Sequence, residues 1–309
     1  MENMYDIVIV GAGPAGMTAA IYAIRANMKV LMLDRLSPGG QMINTNEIEN
    51  YAGVGKLTGA DLSIQMFEHT QELGVEFDYK TVIDISDEGR LKTIICEEDD
   101  TVYQARAVIL ATGTVPRRLS VPGEEQWAGS GISWCAICDG VQYRDKEVVV
   151  IGGGNSAVEE SIFLAGITTK LTIVTMFDLT ADPKACDLLR KMDNVTIYPY
   201  QEVVEFTGTD RLTGVRFRST GEDATEHYVT CDGVFEYIGF AASSEPFAKL
   251  GIIDRTGCIE TDSHMRTSVP GIFGAGDINV KHLRQIVTAC SDGAIAANSA
   301  ASYVEANRE

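Results

Sequence analysis

The sequence has few basic residues and few cysteines. Its 25 lysines and arginines stand against 44 aspartates and glutamates, which gives a formal net charge of 25 − 44 = −19. Nucleic acids and anionic membranes bind basic surfaces, so this charge argues against both as partners. Seven cysteines in 309 residues are too few for a disulfide scaffold, and their odd number leaves at least one thiol unpaired. We therefore expect a cytoplasmic protein in a reducing compartment.

Long apolar runs and targeting signals are also missing. The first ten residues carry no basic region of the kind that begins a secretory signal peptide. The apolar stretch 7–23 is interrupted by three glycines and a proline, whereas a membrane-spanning helix needs about 20 largely uninterrupted apolar residues. Hydrophobic residues make up 45% and charged residues 22% of the chain, values typical of a globular protein. At about 150 residues per domain, this length predicts two domains.

Strand-like apolar runs alternate with helix-like segments, a pattern typical of the α/β fold class. The expected elements are a strand at 6–10, a helix at 14–26 and a strand at 29–33, then a strand at 147–151, a helix at 155–165 and a strand at 170–174. Because this strand, glycine turn, helix and strand recur, we expect two Rossmann-like dinucleotide-binding domains of three layers (ββα). A further strand-like segment, 271–277, precedes a helix-like stretch at 282–305.

The first glycine motif follows the first expected strand and opens the first expected helix. Gly11 permits the tight turn, Gly13 lets the backbone approach a pyrophosphate, and Gly16 allows the helix to pack closely on the strand. Asp34, at the end of the next strand, can accept hydrogen bonds from ribose hydroxyls. Strand, helix and acidic residue together predict a dinucleotide site; the alternative is a glycine turn shaped only by packing.

The second glycine motif, Gly152–Ala157, by itself indicates a nicotinamide nucleotide site. The 2′-phosphate of NADPH requires arginines just after the following strand, where a planar guanidinium binds it through two hydrogen bonds. The segment Val174–Asp182 contains no arginine or histidine and has two carboxylates, so we expect weak NADPH binding. Asp178 accepts an NADH ribose hydroxyl in one interpretation. We favour the other, in which Asp178 is a surface carboxylate and the glycine turn is kept for its architecture.

The cysteine pair in the sequence WCAICDG indicates redox chemistry. Cys135 and Cys138 can close a disulfide, and such pairs commonly have a lowered thiol pKa that favours thiolate attack. Half of a zinc site is the disfavoured alternative, since no histidine stands at ligand spacing. Asp139 either protonates a departing thiolate or caps the next helix. Trp134 either covers a flavin or partner surface or packs in the core, and we favour packing.

With these residues, nearly the whole chain resembles the low-molecular-weight thioredoxin reductases, which are FAD-containing disulfide oxidoreductases. The matching motifs are GAGPAG at 11–16, GGQ at 39–41, ENY at 49–51, ATG at 111–113, CAICDG at 135–140, GGGNSA at 152–157, GAGD at 274–277 and the pair Arg284-Gln285. The resemblance implies a thioredoxin partner, a homodimer, and electron transfer from FAD through Cys135 and Cys138 to thioredoxin. It also implies a discontinuous FAD-binding domain of residues 1–116 and 246–309, with the cysteine pair in an inserted domain of residues 117–245 that swings between flavin and thioredoxin.

The resemblance further implies which residues contact FAD. They belong to the first glycine motif, the end of the second strand and the later motifs: Gly11, Gly13, Pro14, Ala15, Gly16, Asp34, Arg35, Gly39, Gly40, Gln41, Asn50, Thr112, Gly113, Gly276, Asp277, Arg284, Gln285 and Ile286. The catalytic residues it implies are Cys135, Cys138 and Asp139, and no metal is expected. The five remaining cysteines stand singly and are expected to be small buried residues.

One segment departs from the family. Where relatives that use NADPH have His-Arg-Arg, this chain has Thr175, Met176 and Phe177, and Ala181 replaces a further arginine. In lacking these arginines, the chain is similar to the ferredoxin-dependent flavin thioredoxin reductases, so reduced ferredoxin is the expected donor. The alternatives are an NAD(P)H-dependent thioredoxin reductase with a non-standard nucleotide site, a flavin-dependent dithiol oxidase that uses oxygen, and a flavin-binding redox sensor without turnover.

Overall fold

The computed structural model describes residues 4–45, 48–97, 101–221 and 224–308. The chain divides into two compact units, which are described separately below. Unit 1 comprises Met1–Val115 and Ala241–Glu309, and unit 2 comprises Pro116–Phe240. Among the helices in these ranges, none combines the length and apolar character that crossing a bilayer requires.

Strands and helices alternate along most of the chain. The strands are β1 Met4–Val10, β2 Val30–Asp34, β3 Glu76–Tyr79, β4 Val82–Asp87, β5 Lys92–Cys96, β6 Val102–Leu110, β7 Thr114–Pro116, β8 Ile132–Ser133, β9 Glu147–Ile151, β10 Lys170–Thr175, β11 Val195–Pro199, β12 Gln201–Gly208, β13 Leu212–Ser219, β14 Glu226–Thr230, β15 Gly233–Glu236, β16 Phe240–Ala242 and β17 Ile272–Gly274. The α-helices are α1 Pro14–Arg25, α2 Gly59–Glu72, α3 Glu124–Trp127, α4 Ala136–Asp139, α5 Asn155–Ala165, α6 Pro183–Leu189 and α7 Ile286–Ala306.

Unit 1 is built on a seven-stranded mixed sheet in the order β3-β2-β1-β6-β5-β4, with β17 paired to β6. β1 runs parallel to β2 and β6, and β17 runs parallel to β6, whereas β4 and β5 are antiparallel to their neighbours. The register places Val10 opposite Leu33 and Leu110, and Gly274 opposite Leu110. Three chain segments therefore leave the same edge of the sheet side by side, at the carboxyl ends of β1, β6 and β17.

The central strand of unit 1 is apolar because both faces of the sheet are covered. Ile7 and Ile9 of β1 belong to the core under α1 and α7, while Val8 and Val10 belong to the core on the other face. Alternation of side chains along a strand produces this division. Small residues let α7 approach α1, since a side chain at Gly293 would overlap the backbone oxygen of Ala15. The two helices hold the glycine-rich edge of the sheet in place.

Unit 2 contains a five-stranded parallel sheet, β11-β10-β9-β15-β8, and an antiparallel sheet, β12-β13-β14. Val148 and Val150 of β9 pack towards α5, and Val149 and Ile151 pack into the core that includes β12 and β13. Ile151 lies opposite Val174 and Glu236, so the turns after β9, β10 and β15 also meet at one edge. The α/β class with Rossmann-like parallel strands in both units is thus confirmed, and the sheet of unit 1 is mixed because β4 and β5 run antiparallel.

The expected bounds of the last strand and of the last helix are wrong. The last helix was expected from His282 but begins at Ile286, because Gln285 has extended backbone angles and forms a capping box with Thr288. The preceding residues are therefore free to adopt non-helical conformations beside the turn that follows β17. The strand expected at 271–277 is confined to Ile272–Gly274 and is followed by a 3₁₀ turn at Gly276–Ile278.

Candidate active site

The first glycine motif forms a tight turn between β1 and α1. Gly11 has a φ of 111°, and a side chain there would overlap the carbonyl oxygen of Ala111. Gly16 likewise leaves no room for a side chain, because its Cα hydrogen faces the carbonyl oxygen of Gly11. At Gly13, in contrast, a Cβ would meet nothing within 4 Å. The turn is thus packed on its inner side and open at the helix N-terminus, as a phosphate cradle requires.

Asp34 supports this turn with both carboxylate oxygens. Its Oδ2 accepts a hydrogen bond of 2.7 Å from the amide of Ala12, and its Oδ1 accepts one of 2.9 Å from the amide of Leu36. The sequence predicted Asp34 as a ribose acceptor, and the remaining lone pairs of the carboxylate still permit that role. Arg35 lies exposed just beyond it at the end of β2.

The other predicted cofactor residues gather around the same edge of unit 1. Gly39 donates its amide to Ala12 at 2.8 Å, and a Cβ at Gly40 would lie 3.3 Å from the Cα of Gly13. Thr112 donates its hydroxyl to the carbonyl of Ser243 at 2.6 Å. Four further predicted residues meet in two pairs, Asn50 with Gln285 at 3.1 Å and Arg284 with the carbonyl of Asp277 at 3.4 Å. Gly113, Gln41 and Ile286 lie in the neighbouring turns and at the start of α7.

Asp277 provides the test of whether a ribityl chain fits. Its Oδ1 is buried and has no hydrogen-bond partner among the described residues. Burial raises the pKa of Asp277, while the positive charges of Lys281 and Arg284 oppose that shift. An unpartnered buried carboxylate oxygen is costly unless a ligand satisfies it. The polyhydroxyl chain of FAD supplies suitable hydroxyl donors, so the residues present fit this cofactor.

An ion pair fixes the backbone of that turn. Lys281 donates to Asp292 Oδ2 at 2.5 Å, and the same oxygen accepts the amide of Gly276 at 3.1 Å. Gly276 has a φ of 81°, and a Cβ there would lie 2.8 Å from the Cβ of Ala15. The sequence motif identified Gly276 and Asp277 but not their support, because Lys281 and Asp292 lie on separate segments that only the fold brings together.

In unit 2, Cys135 and Cys138 form a disulfide directly after β8. Their Cα atoms are 5.3 Å apart, and the four-residue helix α4 begins between them. The amide of Cys138 donates to the Sγ of Cys135 at 3.2 Å. Of the remaining cysteines, Cys96, Cys186, Cys231 and Cys258 are buried and outside any disulfide, as predicted, and Cys290 is half-buried.

Asp139 lies at the end of the disulfide helix. Its Oδ2 accepts a hydrogen bond of 2.6 Å from the Ser133 hydroxyl, and its Oδ1 is buried without a partner in the described structure. Burial raises the pKa of Asp139, and the hydrogen bond from Ser133 opposes that shift only in part. Its side chain makes no capping hydrogen bond to the following 3₁₀ turn, so the capping alternative is wrong. A buried carboxyl with a raised pKa, one residue after Cys138, is suited to holding a proton.

Trp134 is held by residues that the sequence did not single out. Its indole nitrogen donates to Glu236 Oε2 at 2.9 Å, and the guanidinium carbon of Arg118 lies 4.1 Å from its ring centroid. Burial and the nearby Glu124 raise the pKa of Glu236 to about 8. Trp134 therefore packs within unit 2, as favoured from the sequence. A glutamate within a buried strand was the signal that could have identified Glu236.

Residues that follow β10 form hydrogen bonds to the second glycine turn and occupy part of it. Gly153 accepts a hydrogen bond of 2.8 Å from the amide of Thr180, and Asn155 Oδ1 accepts one of 3.1 Å from the amide of Asp182. Asp178 is exposed and accepts hydrogen bonds from the amide of Leu179 at 2.7 Å and from Arg190 at 2.8 Å. Together these bonds, led by the one from Leu179, lower the pKa of Asp178.

Comparison with known proteins agrees with this geometry. The sequence profile described as pyridine nucleotide-disulphide oxidoreductase matches residues 5–293. The chain belongs to this family. It is 44% identical to a thioredoxin reductase of Listeria monocytogenes and to one of Bacillus subtilis, over its full length and over 96% and 97% of theirs. The structure of a thioredoxin reductase from Streptococcus pyogenes is similar, with a TM-score of 0.91 and 41% identity over 99% of this chain and all of that one.

The family assignment indicates the type of reaction that the chain catalyses. The chain is an FAD-dependent oxidoreductase of the disulfide reductase type, similar to the low-molecular-weight thioredoxin reductases. These relatives are named thioredoxin reductase without reference to ferredoxin, so the similarity extends to the class and not to the ferredoxin-dependent branch.

Proposed function

We propose that this enzyme reduces the disulfide of a thioredoxin through Cys135 and Cys138. The observation that carries the proposal is the Cys135–Cys138 disulfide, which the buried carboxyl of Asp139 follows directly in the chain. Uptake of two electrons and two protons breaks the Cys135–Cys138 bond and gives two thiols. One of them, as a thiolate, attacks the thioredoxin disulfide and forms a mixed disulfide. The second then restores the Cys135–Cys138 bond and releases thioredoxin with two thiols, and Asp139 supplies a proton to a departing thiolate.

The FAD-binding role is proposed for unit 1, with the cysteine pair carried by unit 2. The turn Gly11–Gly16 would hold the pyrophosphate, Asp34 to Gln41 the adenosine side, and Asp277 the ribityl chain. Arg284 and Gln285 would lie near the isoalloxazine, where Asn50 contacts Gln285. When bound, FAD supplies the two electrons that the cysteine pair takes up.

Reduced ferredoxin is the proposed electron donor. In the segment that would face the 2′-phosphate of NADPH, Met176 and Phe177 are 51% and 65% exposed and carry no charge. Arg190, the residue that follows helix α6, is already paired with Asp178. Hydrogen bonds to charged groups contribute about 1.5–3 kcal/mol each, so the loss of two weakens NADPH binding about a hundredfold or more. The exposed pair Arg117 and Arg118 offers positive charge to an acidic ferredoxin on an otherwise acidic protein.

The donor is tested by mixing the purified enzyme anaerobically with NADPH, NADH or two equivalents of reduced ferredoxin while flavin absorbance is recorded. We expect bleaching with ferredoxin only. The double variant Met176→Arg/Phe177→Arg should gain reduction by NADPH, whereas Met176→Gln/Phe177→Gln should not. Rapid bleaching of the unaltered enzyme by micromolar NADPH or NADH would overturn the donor assignment in favour of a nicotinamide-dependent reductase.

The role of the cysteine pair is tested with Cys138→Ser. This variant should retain bound FAD, seen as a yellow protein with unchanged stoichiometry, and lose thioredoxin reduction, because a single thiol cannot resolve the mixed disulfide. Cys186→Ala removes a buried thiol elsewhere in unit 2 and should retain activity. Full activity of Cys138→Ser would remove the pair from the reaction. Rapid oxidation of the reduced enzyme by air, with peroxide formed and thioredoxin ignored, would instead support a dithiol oxidase.

A homodimer in the cytoplasm completes the proposal. The resemblance to thioredoxin reductases supports the dimer, and sedimentation equilibrium should give twice the mass of the chain. Five of the described cysteines form no disulfide, which is compatible with a reducing compartment.

A further inference from the structure

The backbone amide between the two cysteines is anchored by two side chains from other elements. The amide of Ala136 donates to Glu160 Oε2 at 2.6 Å and to the hydroxyl of Tyr237 at 2.7 Å. Glu160 lies in α5, and Tyr237 follows β15. Tyr237 also donates its own hydroxyl to Glu160 Oε2. A single carboxylate oxygen thus fixes both the redox segment and the tyrosine that assists it.

Burial and hydrogen bonding act on Glu160 in opposite directions. Burial is the larger effect and raises the pKa of Glu160, while hydrogen bonds from Tyr237 and from the amides of Ala136 and Ile137 partly oppose that shift. An ionised carboxyl only accepts hydrogen bonds, and several donors converge on this group. At a pH above its raised pKa, Glu160 places a negative charge against the backbone next to Cys135.

We propose that Glu160, held by Tyr237, is a positioning residue that anchors the Cys135–Ala136 segment and biases the cysteine pair towards its disulfide form. Reduction breaks the S–S bond and adds two electrons and two protons, and above the thiol pKa one proton is released and a thiolate remains. That thiolate meets the like charge of Glu160 and finds the Ala136 amide already engaged, so the carboxylate disfavours the reduced state. A pair that is harder to reduce is in turn a stronger reductant of its partner.

Other titratable groups face the same region. Asp139 lies on the disulfide helix itself. Burial, and then the negative charges of Glu160 and Asp139, raise the pKa of Tyr237. Glu159 precedes Glu160 on α5, acts on it through charge alone and has an exposed side chain. Because the Asp139 carboxyl is retained in every variant below, changes between variants report on Glu160.

The test uses the intact flavoprotein and needs no thioredoxin or ferredoxin. The protein is equilibrated with mixtures of reduced and oxidised dithiothreitol at pH 8, thiols are trapped by alkylation, and the reduced fraction is read by mass spectrometry. Glu160→Gln keeps an oxygen acceptor for Ala136 and removes the charge. We expect it to shift the equilibrium about tenfold towards the dithiol, which corresponds to about 30 mV. The pH profile of alkylation should show a thiol pKa lower by about one unit.

Glu159→Gln is the matched control, since it removes the same charge from an exposed neighbour, and it should leave both measurements unchanged. Tyr237→Phe removes one donor from the carboxylate and should shift the equilibrium in the same direction by about threefold, so it carries the test if Glu160→Gln does not fold. An unchanged equilibrium and pH profile in the folded variants, or equal shifts in Glu159→Gln, would overturn the proposal.

The inference rests on the proposed redox role of the cysteine pair, yet the experiments can contradict either proposal without contradicting the other. If thioredoxin is not the partner, the dithiothreitol equilibrium still responds to Glu160. If Glu160 plays no part, thioredoxin reduction by the unaltered enzyme is unaffected.

Discussion

At the scale of single residues, unit 2 contains several buried carboxyl groups, and burying a carboxyl group costs free energy. Glu236 is 1% exposed and Glu124 is 3% exposed. Glu124 satisfies both oxygens with the amides of Leu119 and Ser120, whereas Glu236 Oε1 has no partner within the described residues. Burial and the nearby Glu124 raise the pKa of Glu236 to about 8, so Glu236 holds a proton at neutral pH. Glu236 keeps Trp134, the residue before Cys135, in place.

Glu236→Gln should stabilise unit 2 more at pH 8 than at pH 5. The pKa of Glu236 is about 8 in the folded protein and 4.5 for the ordinary group, so the folded state retains a proton that the unfolded state releases. Stability therefore falls as pH rises across that window, and glutamine, which does not titrate, removes the fall. We expect the gain in the free energy of unfolding to be larger at pH 8 by at least about 2 kcal/mol.

Urea unfolding followed by tryptophan fluorescence measures this difference, because both tryptophans of the sequence, Trp127 and Trp134, lie in unit 2. Glu125→Gln, at an exposed neighbouring position, should show no pH-dependent gain. An equal effect of Glu236→Gln at both pH values would contradict the assigned pKa.

At the scale of elements, the glycine turns of the two units differ in what surrounds them. Both begin with a glycine of positive φ, 111° at Gly11 and 127° at Gly152, and both end at a position with open space, Gly13 and Gly154. The sequence motif predicts this much because the backbone conformation itself demands glycine. The folding of residues 175–182 back onto the second turn is a tertiary contact that no motif encodes.

Gly13→Ala should leave the protein folded and weaken FAD binding at least tenfold. A methyl group at this position meets no protein atom within 4 Å, yet it would occupy the space where the pyrophosphate approaches the helix N-terminus. Titration of the apoprotein with FAD, followed by flavin fluorescence, gives the affinity. Gly154→Ala makes the same change in the second turn and should leave FAD affinity unaltered. A wild-type affinity for Gly13→Ala would mean that the first turn does not hold the pyrophosphate.

At the scale of the whole molecule, unit 2 is one continuous chain and unit 1 is not. Unit 2 has two apolar cores of its own, one on each side of its parallel sheet, that include Leu171 and Phe217. Unit 1 requires both the segment before residue 116 and the segment after residue 240, since β17 completes the sheet that β1 and β6 begin. Folding of unit 1 therefore depends on contacts between distant parts of the sequence.

Residues 116–240 expressed alone should fold, form the Cys135–Cys138 disulfide and bind no flavin. The physical reason is that the cores and the parallel sheet of unit 2 are complete within this range. Circular dichroism and the dispersion of amide signals in a nuclear magnetic resonance spectrum test folding, and mass spectrometry after alkylation tests the disulfide. A spectrum typical of an unfolded chain would show that unit 2 needs unit 1 for its stability.

The sequence by itself determined the α/β class, the two glycine turns, the redox cysteines and the absence of arginines after β10. These features are local: a glycine of positive φ, a strand of apolar residues or a pair of cysteines three positions apart acts on its own neighbours. Only the tertiary structure decided that Asp292 supports Gly276 and that Glu160 and Tyr237 share the amide of Ala136. It also decided that Asp139 accepts a hydrogen bond from Ser133. Each of those contacts joins groups from different elements, and their positions follow from the packing of the sheets rather than from sequence spacing.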